Sequence, residues 1–510
     1  MGSNATPGCF AFLRRSRGTG VGNPPADPGA LSRRSHTPHT SEPALRSHYV
    51  PEPCGCSLAS HDLASLQIRE ELPPYQSVRE AFNKDAQETA RIEILAHADP
   101  LKDLSLWLNV HPEIGYEEHK AHSKVTAYLK DQGFDVEEHY KLDTAFRASY
   151  THGKGGRVFG LNSEYDALPG VGHACGHNLI CVVGVAAIIG MRAAMKKHRI
   201  DGTVVLLGTP AEEGGEGKLK LLEAGAYKGM DACMMAHPDG QPAAQHSVLP
   251  SLAIQSIWAD FHGIPAQASA QPWEGINALD AVHLAYGAIS AMRQQLHPSD
   301  RVHGIITNGG AAANIIPDLA SMKYFVRAPT AKAVVALREK IIPCFEAAAK
   351  ATGCKLKITT DELTYDLRNV APLADEYAAC VGDLYGTKTY INLKYDPNAA
   401  LASTDFGNVT YALPSCHPNF GIPTINGRAN HTYEFAKAAR SEEAHEEAWR
   451  AATGLACVGL RVVADGAFAN EIKRRSSLAD KPTAHVTGAR PSAAVGFLVD
   501  PGPTGRVGPT

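Results

Sequence analysis

The chain has 510 residues, of which 44% are hydrophobic, and carries a formal net charge of −4 at pH 7. Its length allows one large hydrophobic core or two moderate ones. Because acids and bases are nearly balanced, the chain lacks the basic surface that a nucleic-acid partner requires. The best apolar run, over residues 179–191, is too short to cross a membrane, so we expect no transmembrane segment.

Residues 1–75 are rich in Pro, Ser, Gly and Arg and lack periodic apolar residues, so we expect a disordered leader. Its arginines would also suit a transit peptide, and the opening Met1-Gly2 fits a myristoylation pattern, with Cys9 available for a second lipid. We favour a dispensable extension over either of these signals. The eleven cysteines are mostly scattered singly, which suits a reducing compartment, so we expect a cytoplasmic protein. A second disordered segment is expected over residues 477–510.

The pattern between these two segments predicts two structural units. Helical spacing of apolar residues, followed by alternating strands and helices, predicts the first part of an α/β catalytic domain with a mostly parallel sheet over residues 76–251. A strand–helix–strand–strand–helix–strand pattern then predicts an inserted ferredoxin-like α+β domain over residues 252–370. Helical patterns over residues 371–476 complete the catalytic domain.

The segment LNSEYDALPGVGHACGHN lies between a strand-like run and a helix-like run. It brings together three metal-binding side chains and two carboxylates: His173, Cys175, His177, Glu164 and Asp166. Sulfur and imidazole ligands on one loop suit a transition metal such as zinc. For this segment alone, an inert cysteine among unrelated histidines is the alternative interpretation.

The next strand-like run ends in the turn AEEGGEG, where Glu212 and Glu213 are adjacent. One of these carboxylates can bind a metal while the other takes a proton from water, as metal-assisted hydrolysis requires. A solvated acidic turn is the alternative. A further strand-like run ends in His237, and His431 precedes a later helix-like run. Because ligands at the carboxyl ends of successive strands share one crevice, we expect these side chains to converge.

These strings, together with PWEGINALDA, NGGAAANIIP and STDFGNVTYALPSCHP, resemble the co-catalytic metallopeptidase family of aminoacylases, glutamate carboxypeptidases and carnosinases. The chain is most similar to the branch with Cys-Gly-His in place of a ligand aspartate, and within it to the β-alanyl-lysine-type dipeptidases. The resemblance implies a metallopeptidase catalytic domain with an inserted lid, and a homodimer formed through that lid. It implies two divalent metal ions, for which we expect zinc, with manganese or cobalt as alternatives.

The resemblance also implies hydrolysis of an amide bond in a dipeptide or N-acyl amino acid. It assigns the metal ligands to Cys175, His177, Glu213, His237 and His431. Glu212 is implied as the general base and Asp166 as the carboxylate that supports the metal site. Glu164 falls where other branches have a histidine ligand and is not counted as a ligand, and His173 stays open between a supporting and a structural role.

Substrate contacts are implied mainly in the lid. Asn314 and Arg327 resemble contacts to the substrate carboxylate, and His417 lies, with Asp405 and Asn408, in strings expected to line the cleft. Gln267 departs from the pattern, because the family has a histidine there that reaches the oxyanion from the partner subunit.

Glutamine can donate only a neutral hydrogen bond to an oxyanion, and losing one such donor typically lowers turnover by about 10²–10³. Either another donor, such as His262 or His303, replaces the histidine, or the enzyme is slow or divergent. We favour an active enzyme. The alternatives are an impaired family member that acts as a binding or regulatory protein, and a nucleophilic hydrolase that uses Cys175, which the surplus of metal ligands disfavours.

Overall fold

The structure is a computed structural model and describes residues 83–397 and 401–477. The expected leader over residues 1–75 lies outside the described residues, as does all but the first residue of the expected tail over residues 477–510. The described chain forms an α/β fold with an inserted α+β unit, which confirms the predicted fold class.

The first part opens with helices, as predicted, and strands and helices then alternate from residue 158 to residue 234. Its elements are α1 (Lys84–Ala96), α2 (Ala98–Val110), α3 (His119–Asp131), β1 (Asp135–Glu138), β2 (Phe146–His152), β3 (Val158–Ser163), α4 (His177–His198), β4 (Gly202–Gly208), α5 (Gly217–Glu223), β5 (Ala232–Met234), β6 (His237–Asp239) and β7 (Gln245–Val248).

A second set of elements follows the βαββαβ order that the sequence predicts. It comprises β8 (Ala253–His262), α6 (Ala278–Met292), β9 (Arg301–Asn308), β10 (Leu319–Ala328), α7 (Ala331–Thr352) and β11 (Lys355–Thr360). The strands form an antiparallel sheet of order β11-β8-β10-β9, and α6 and α7 pack on it. This unit, called the lid below, encloses a hydrophobic core of its own.

The chain then returns to the first unit. The remaining elements are α8 (Ala371–Tyr385), β12 (Lys388–Ile391), α9 (Phe406–Ala412), β13 (Ser415–Cys416), β14 (Pro418–Gly421), α10 (Tyr433–Ala438), α11 (Glu442–Ala464) and α12 (Gly466–Ser477). Strands β12, β7, β14 and β6 form a small mixed sheet that the sequence pattern did not predict, because these strands are only three or four residues long.

The main sheet has the order β1-β2-β4-β3-β5-β13. Strands β4, β3, β5 and β13 are parallel, while β1 and β2 add an antiparallel edge. The carboxyl ends of β3, β4 and β5 therefore point in one direction, and the loops that follow them meet at one edge of the sheet.

Helix α4 is the central helix of this unit and packs against α1, α2 and α11. Its 22 residues extend the apolar run of residues 179–191 that the sequence analysis considered. By length and composition the helix could cross a membrane, but 89% of its most apolar window is buried inside the protein. The helix therefore serves as the core of the fold, and the loop that contains Cys175 leads into its amino end.

Candidate metal centre

Two groups of donor atoms meet at the edge of the main sheet, and both include Cys175. In the first group, the donor atoms of Cys175, His177 and His237 lie within 4.8 Å of one another. In the second, the same limit holds for Cys175, Glu213 and His431. All five residues that the family resemblance implied as ligands are thus brought together, with the sulfur atom of Cys175 common to both groups.

The local backbone explains how Cys175 and His177 reach the same place. Gly176, between them, has a φ of 83°, in the left-handed region that favours glycine. A Cβ atom at this position would lie 2.5 Å from Cγ of Pro238, which follows His237. Glycine therefore allows the cysteine loop to turn into α4 while it stays in contact with the His237 segment.

His431 reaches the site from a distant part of the sequence. Its φ of 68° is uncommon for a residue with a side chain, and its backbone N–H donates to the carbonyl oxygen of Ala174 at 2.8 Å. The neighbouring Asn430 donates to the carbonyl oxygens of Cys175 at 3.3 Å and of Pro238 at 3.2 Å. Asn430 therefore fastens the His431 loop to both other ligand segments, a role that the sequence analysis did not assign.

Two of the donor atoms fit a metal because they have no hydrogen-bond partner in the described part of the chain. The Nε2 atom of His177 and the Oε1 atom of Glu213 are buried and accept no hydrogen bond. Burial raises the pKa of the Cys175 thiol, so a thiolate here requires a compensating cation, which a bound metal ion supplies. Buried polar atoms without partners are unfavourable, and a divalent cation would satisfy them.

Asp166 lies directly behind two of these ligands. Its Oδ1 atom is 3.1 Å from Nδ1 of His177, and its Oδ2 atom accepts the backbone N–H of Glu213 at 3.0 Å. Burial alone would raise the pKa of Asp166, but His177 and the Glu213 N–H outweigh it and lower the pKa. The carboxylate thus holds a proton on Nδ1 of His177 and directs Nε2 toward the metal centre.

Glu212 and Glu213 diverge from their shared turn. Both carboxylates reach within 3.8 Å of Nε2 of His177, but Glu213 is grouped with Cys175 and His431, whereas Glu212 is grouped with Glu164 and His177. Burial and the nearby carboxylates of Glu164 and Glu213 raise the pKa of Glu212 well above its usual value. A carboxylate with a raised pKa, placed beside the ligands, suits proton transfer to and from water.

Two further histidines are buried near the ligands. His417 packs against His237, with ring centroids 5.9 Å apart, and both of its ring nitrogens lack hydrogen-bond partners. His173 is also buried, and its Nδ1 atom has no partner. Burial and, after it, a neighbouring histidine lower the pKa of each ring to about 3, so both imidazoles are neutral.

The substrate-contact residues predicted in the lid lie in two separate parts of it. Gln267 and Asn314 are exposed neighbours: Ala268, which follows Gln267, donates its N–H to the Asn314 carbonyl at 3.0 Å. The amide oxygen of Gln267 accepts the N–H groups of Ser269 at 2.7 Å and of Ala270 at 2.6 Å. In the described part of one chain, the hydrogen bonds of Gln267 therefore all remain within the lid.

Arg327 lies elsewhere, on β10, where its Nη1 atom donates to Oγ of Ser403 at 3.2 Å. It lines a cavity of about 370 Å³ together with Arg301 and His303. His262, the other alternative oxyanion donor, is exposed at the end of β8. His262 and His303 were the alternative oxyanion donors in place of Gln267, and neither belongs to the donor groups of the metal centre.

Two residues of the STDFGN string have structural contacts. Asn408 accepts the N–H of Tyr365 at 2.9 Å and donates to the carbonyl oxygen of Leu363 at 3.0 Å, so it fastens the chain that leaves the lid. Asp405 pairs with Lys218, whose Nζ atom lies 2.6 Å from its Oδ1 atom. Lys218 is fully buried, and the sequence analysis missed it because lysine is ordinarily exposed.

A model of the peptidase family M20/M25/M40 matches residues 160–454. An Xaa-Arg dipeptidase of Mus musculus is 41% identical over 391 residues, which cover 74% of this chain and 89% of the relative. The Homo sapiens Xaa-Arg dipeptidase is 40% identical over 384 residues, covering 72% of this chain and 86% of the relative.

Solved structures share the fold at lower sequence identity. A Bacillus subtilis protein described as a dinuclear metal binding peptidase from the M20 family aligns with a TM-score of 0.54 at 21% identity. The alignment covers 72% of this chain and 99% of that protein.

Proposed function

The chain belongs to the peptidase family M20/M25/M40, and from this premise we propose that it is a metal-dependent dipeptidase. The observation that carries the proposal is the convergence of four donor side chains on Cys175, with Glu212 beside them. The names of its relatives support a dipeptide with a carboxyl-terminal arginine or a similar basic residue as substrate, within the broader class of dipeptides and N-acyl amino acids. A complete donor set gives no support to a purely regulatory role.

We propose that Cys175, His177 and His237 hold one divalent ion, and that Cys175, Glu213 and His431 hold a second. Thiolate and imidazole ligands favour zinc, with manganese and cobalt as alternatives. When bound, two such ions acidify a water molecule and polarise the scissile carbonyl. Asp166 keeps Nε2 of His177 available by holding the proton on Nδ1.

Glu212 is the residue that moves the proton. Its raised pKa allows it to accept a proton from the attacking water and to deliver that proton to the departing amine. His417, which is buried and neutral with two free ring nitrogens, is proposed to contact the substrate beside His237. Arg327 offers a planar guanidinium at the cavity it shares with Arg301, which suits the substrate carboxylate.

A homodimer formed through the lid would complete this site. Strand β9 is an edge of the lid sheet, and its Ile305 and Ile306 are 64% and 45% exposed. An apolar edge strand of this kind is suited to pair with another chain. We propose that the dimer brings Gln267 and Asn314 to the partner's metal centre, since both side chains are exposed beyond their own lid contacts. A cytoplasmic location is supported by eight described cysteines, all of them free.

Chelation and substrate scanning test the proposal. We expect protein treated with a chelator to lose hydrolysis of dipeptides, and zinc, manganese or cobalt to restore it. Among dipeptides that differ only in the last residue, arginine or lysine should give a higher kcat/KM than norleucine, which matches their length without the charge. Dipeptide amides, which lack the carboxylate proposed to meet Arg327, should be poor substrates. Full activity in metal-free protein, or metal-loaded protein that hydrolyses no dipeptide, would contradict the proposal.

A further inference from the structure

A buried lysine lies beside the metal centre between two carboxylates. The Nζ atom of Lys218 is 2.5 Å from Oε1 of Glu164 and 2.6 Å from Oδ1 of Asp405. The backbone N–H of Lys218 also donates to Oδ2 of Asp405 at 2.9 Å. The side chains of Lys218 and Glu164 are fully buried and that of Asp405 is 2% exposed, so this cluster, called the Lys218 triad below, is shielded from water.

The triad touches a metal ligand through Glu164. The Oε2 atom of Glu164 lies 3.4 Å from Nε2 of His177, the nitrogen that faces the metal centre. Glu164, His177 and Glu212 form a third group whose donor atoms lie within 4.8 Å of one another. By distance alone, Glu164 is as well placed as the five proposed ligands to bind an ion at His177.

The ammonium group changes the chemistry of this third group. Removing ionised groups from water is unfavourable, so a buried carboxylate must either have a cationic partner or become protonated. Lys218 supplies that partner at Oε1 of Glu164, and Asp405 accepts from both the ammonium and the backbone N–H of Lys218. The position for a cation at Oε1 of Glu164 is therefore filled by a side chain, while Oε2 faces His177.

We propose that Lys218 is a positioning residue that withholds Glu164 from a metal ion at His177 and so keeps the coordination position facing Glu212 open to water. The inference rests on metal binding by His177, but on no particular substrate. A carboxylate that entered this position would displace the water from which Glu212 takes a proton. A catalytic metal site needs such an open position, whereas a closed site is structural.

Four variants test the proposal: Lys218→Met, Glu164→Gln, the double variant E164Q/K218M, and Lys228→Met as a control. Methionine matches the length of lysine without its charge, and Lys228 is exposed on a loop outside the site. Metal affinity is measured by competition with a chromophoric chelator. The cobalt-substituted proteins are compared by their visible spectra, because band intensity decreases as coordination number rises above four.

In Lys218→Met, Glu164 is free to bind the metal. We expect kcat to fall by about 10–100-fold, the usual range when a residue that supports a metal site is removed. Metal affinity should stay equal to that of Lys228→Met or exceed it, and the cobalt bands should weaken. In E164Q/K218M the added ligand is gone, so the bands and most of the turnover should return. Glu164→Gln should keep the metal affinity of the control.

Two results would overturn the proposal. Loss of metal affinity in Glu164→Gln would show that Glu164 is itself a ligand. Loss of both metal affinity and turnover in Lys218→Met, without recovery in the double variant, would show that the lysine only supports the fold. If Lys218→Met does not fold, Glu164→Gln and E164Q/K218M test the proposal instead, because the double variant removes both members of the buried ion pair. Cobalt spectra remain informative if wild-type protein hydrolyses no dipeptide, so failure of the proposed function is recognised separately.

Discussion

Asp166→Asn is the perturbation whose effect follows most directly from the geometry. The wild-type carboxylate accepts from two donors, Nδ1 of His177 at 3.1 Å and the backbone N–H of Glu213 at 3.0 Å. Asparagine has one oxygen, so it can serve one donor while its NH₂ group faces the other. One charge-assisted hydrogen bond, which contributes about 1.5–3 kcal/mol, is lost and replaced by a contact between two donors.

The lost hydrogen bond is either the one to His177 or the one to the backbone N–H of Glu213. In both cases one metal ligand loses the contact that holds it in place. A cost of about 1.4–2.8 kcal/mol corresponds to a 10–100-fold weaker metal affinity at 1.4 kcal/mol per factor of ten. We therefore expect chelator competition to give a dissociation constant for the metal about 10–100-fold above that of the wild-type protein. Excess metal should restore part of the turnover. Asp383→Asn, an exposed exchange on α8, is the matched control. Unchanged metal affinity with lost turnover would refute the supporting role.

Three further predictions concern the catalytic turn and the lid. Glu212→Gln should keep metal content but lower kcat by at least about 10²–10⁴, whereas Glu213→Gln should lose metal; metal analysis with kinetics would reveal a reversed assignment. Gln267→His should alter kcat without changing metal content, and an active monomer in sedimentation would contradict a donor supplied by the partner. Burial and then the Asp361 carboxylate raise the pKa of Glu216 to about 8, so the folded protein binds this proton more tightly than the unfolded chain. Thermal stability of the metal-free protein should thus fall from about pH 5 to pH 8, and Glu216→Gln should flatten that dependence.

Much of the site was predictable because each ligand follows a recognisable strand or precedes a helix. Cys175 lies just before α4, His177 is the first residue of α4, His237 follows β5, and the Glu212 turn follows β4. Parallel strands bring their carboxyl ends together, so the convergence follows from the topology that the sequence pattern predicts. His431 was noted because it precedes a helix-like run, and the family resemblance implied its role as a ligand; spacing alone does not place it beside Ala174.

Other features depend on contacts that no local pattern carries. Lys218 and Asp405 are 187 residues apart in sequence, and a lysine after a glycine-rich turn is typical of an exposed loop. Asn408 lies in a string that resembles the cleft, yet its side chain binds the backbone at Leu363 and Tyr365. In each case the burial of a polar side chain, which only the folded chain reveals, decides its role.

The charges around the ligands also indicate why one lysine is buried at this place. Five carboxylates lie in or next to the three donor groups and the Lys218 triad: Glu164, Asp166, Glu212, Glu213 and Asp405. Two metal ions at the groups that share Cys175 would balance the ligands, but neither Glu164 nor Asp405 belongs to those two groups. The ammonium group of Lys218 pairs with both carboxylates and offsets one of their two negative charges, with or without metal. The protein can therefore form its ligand loops before an ion arrives, and Glu164 remains bound to the lysine when it does.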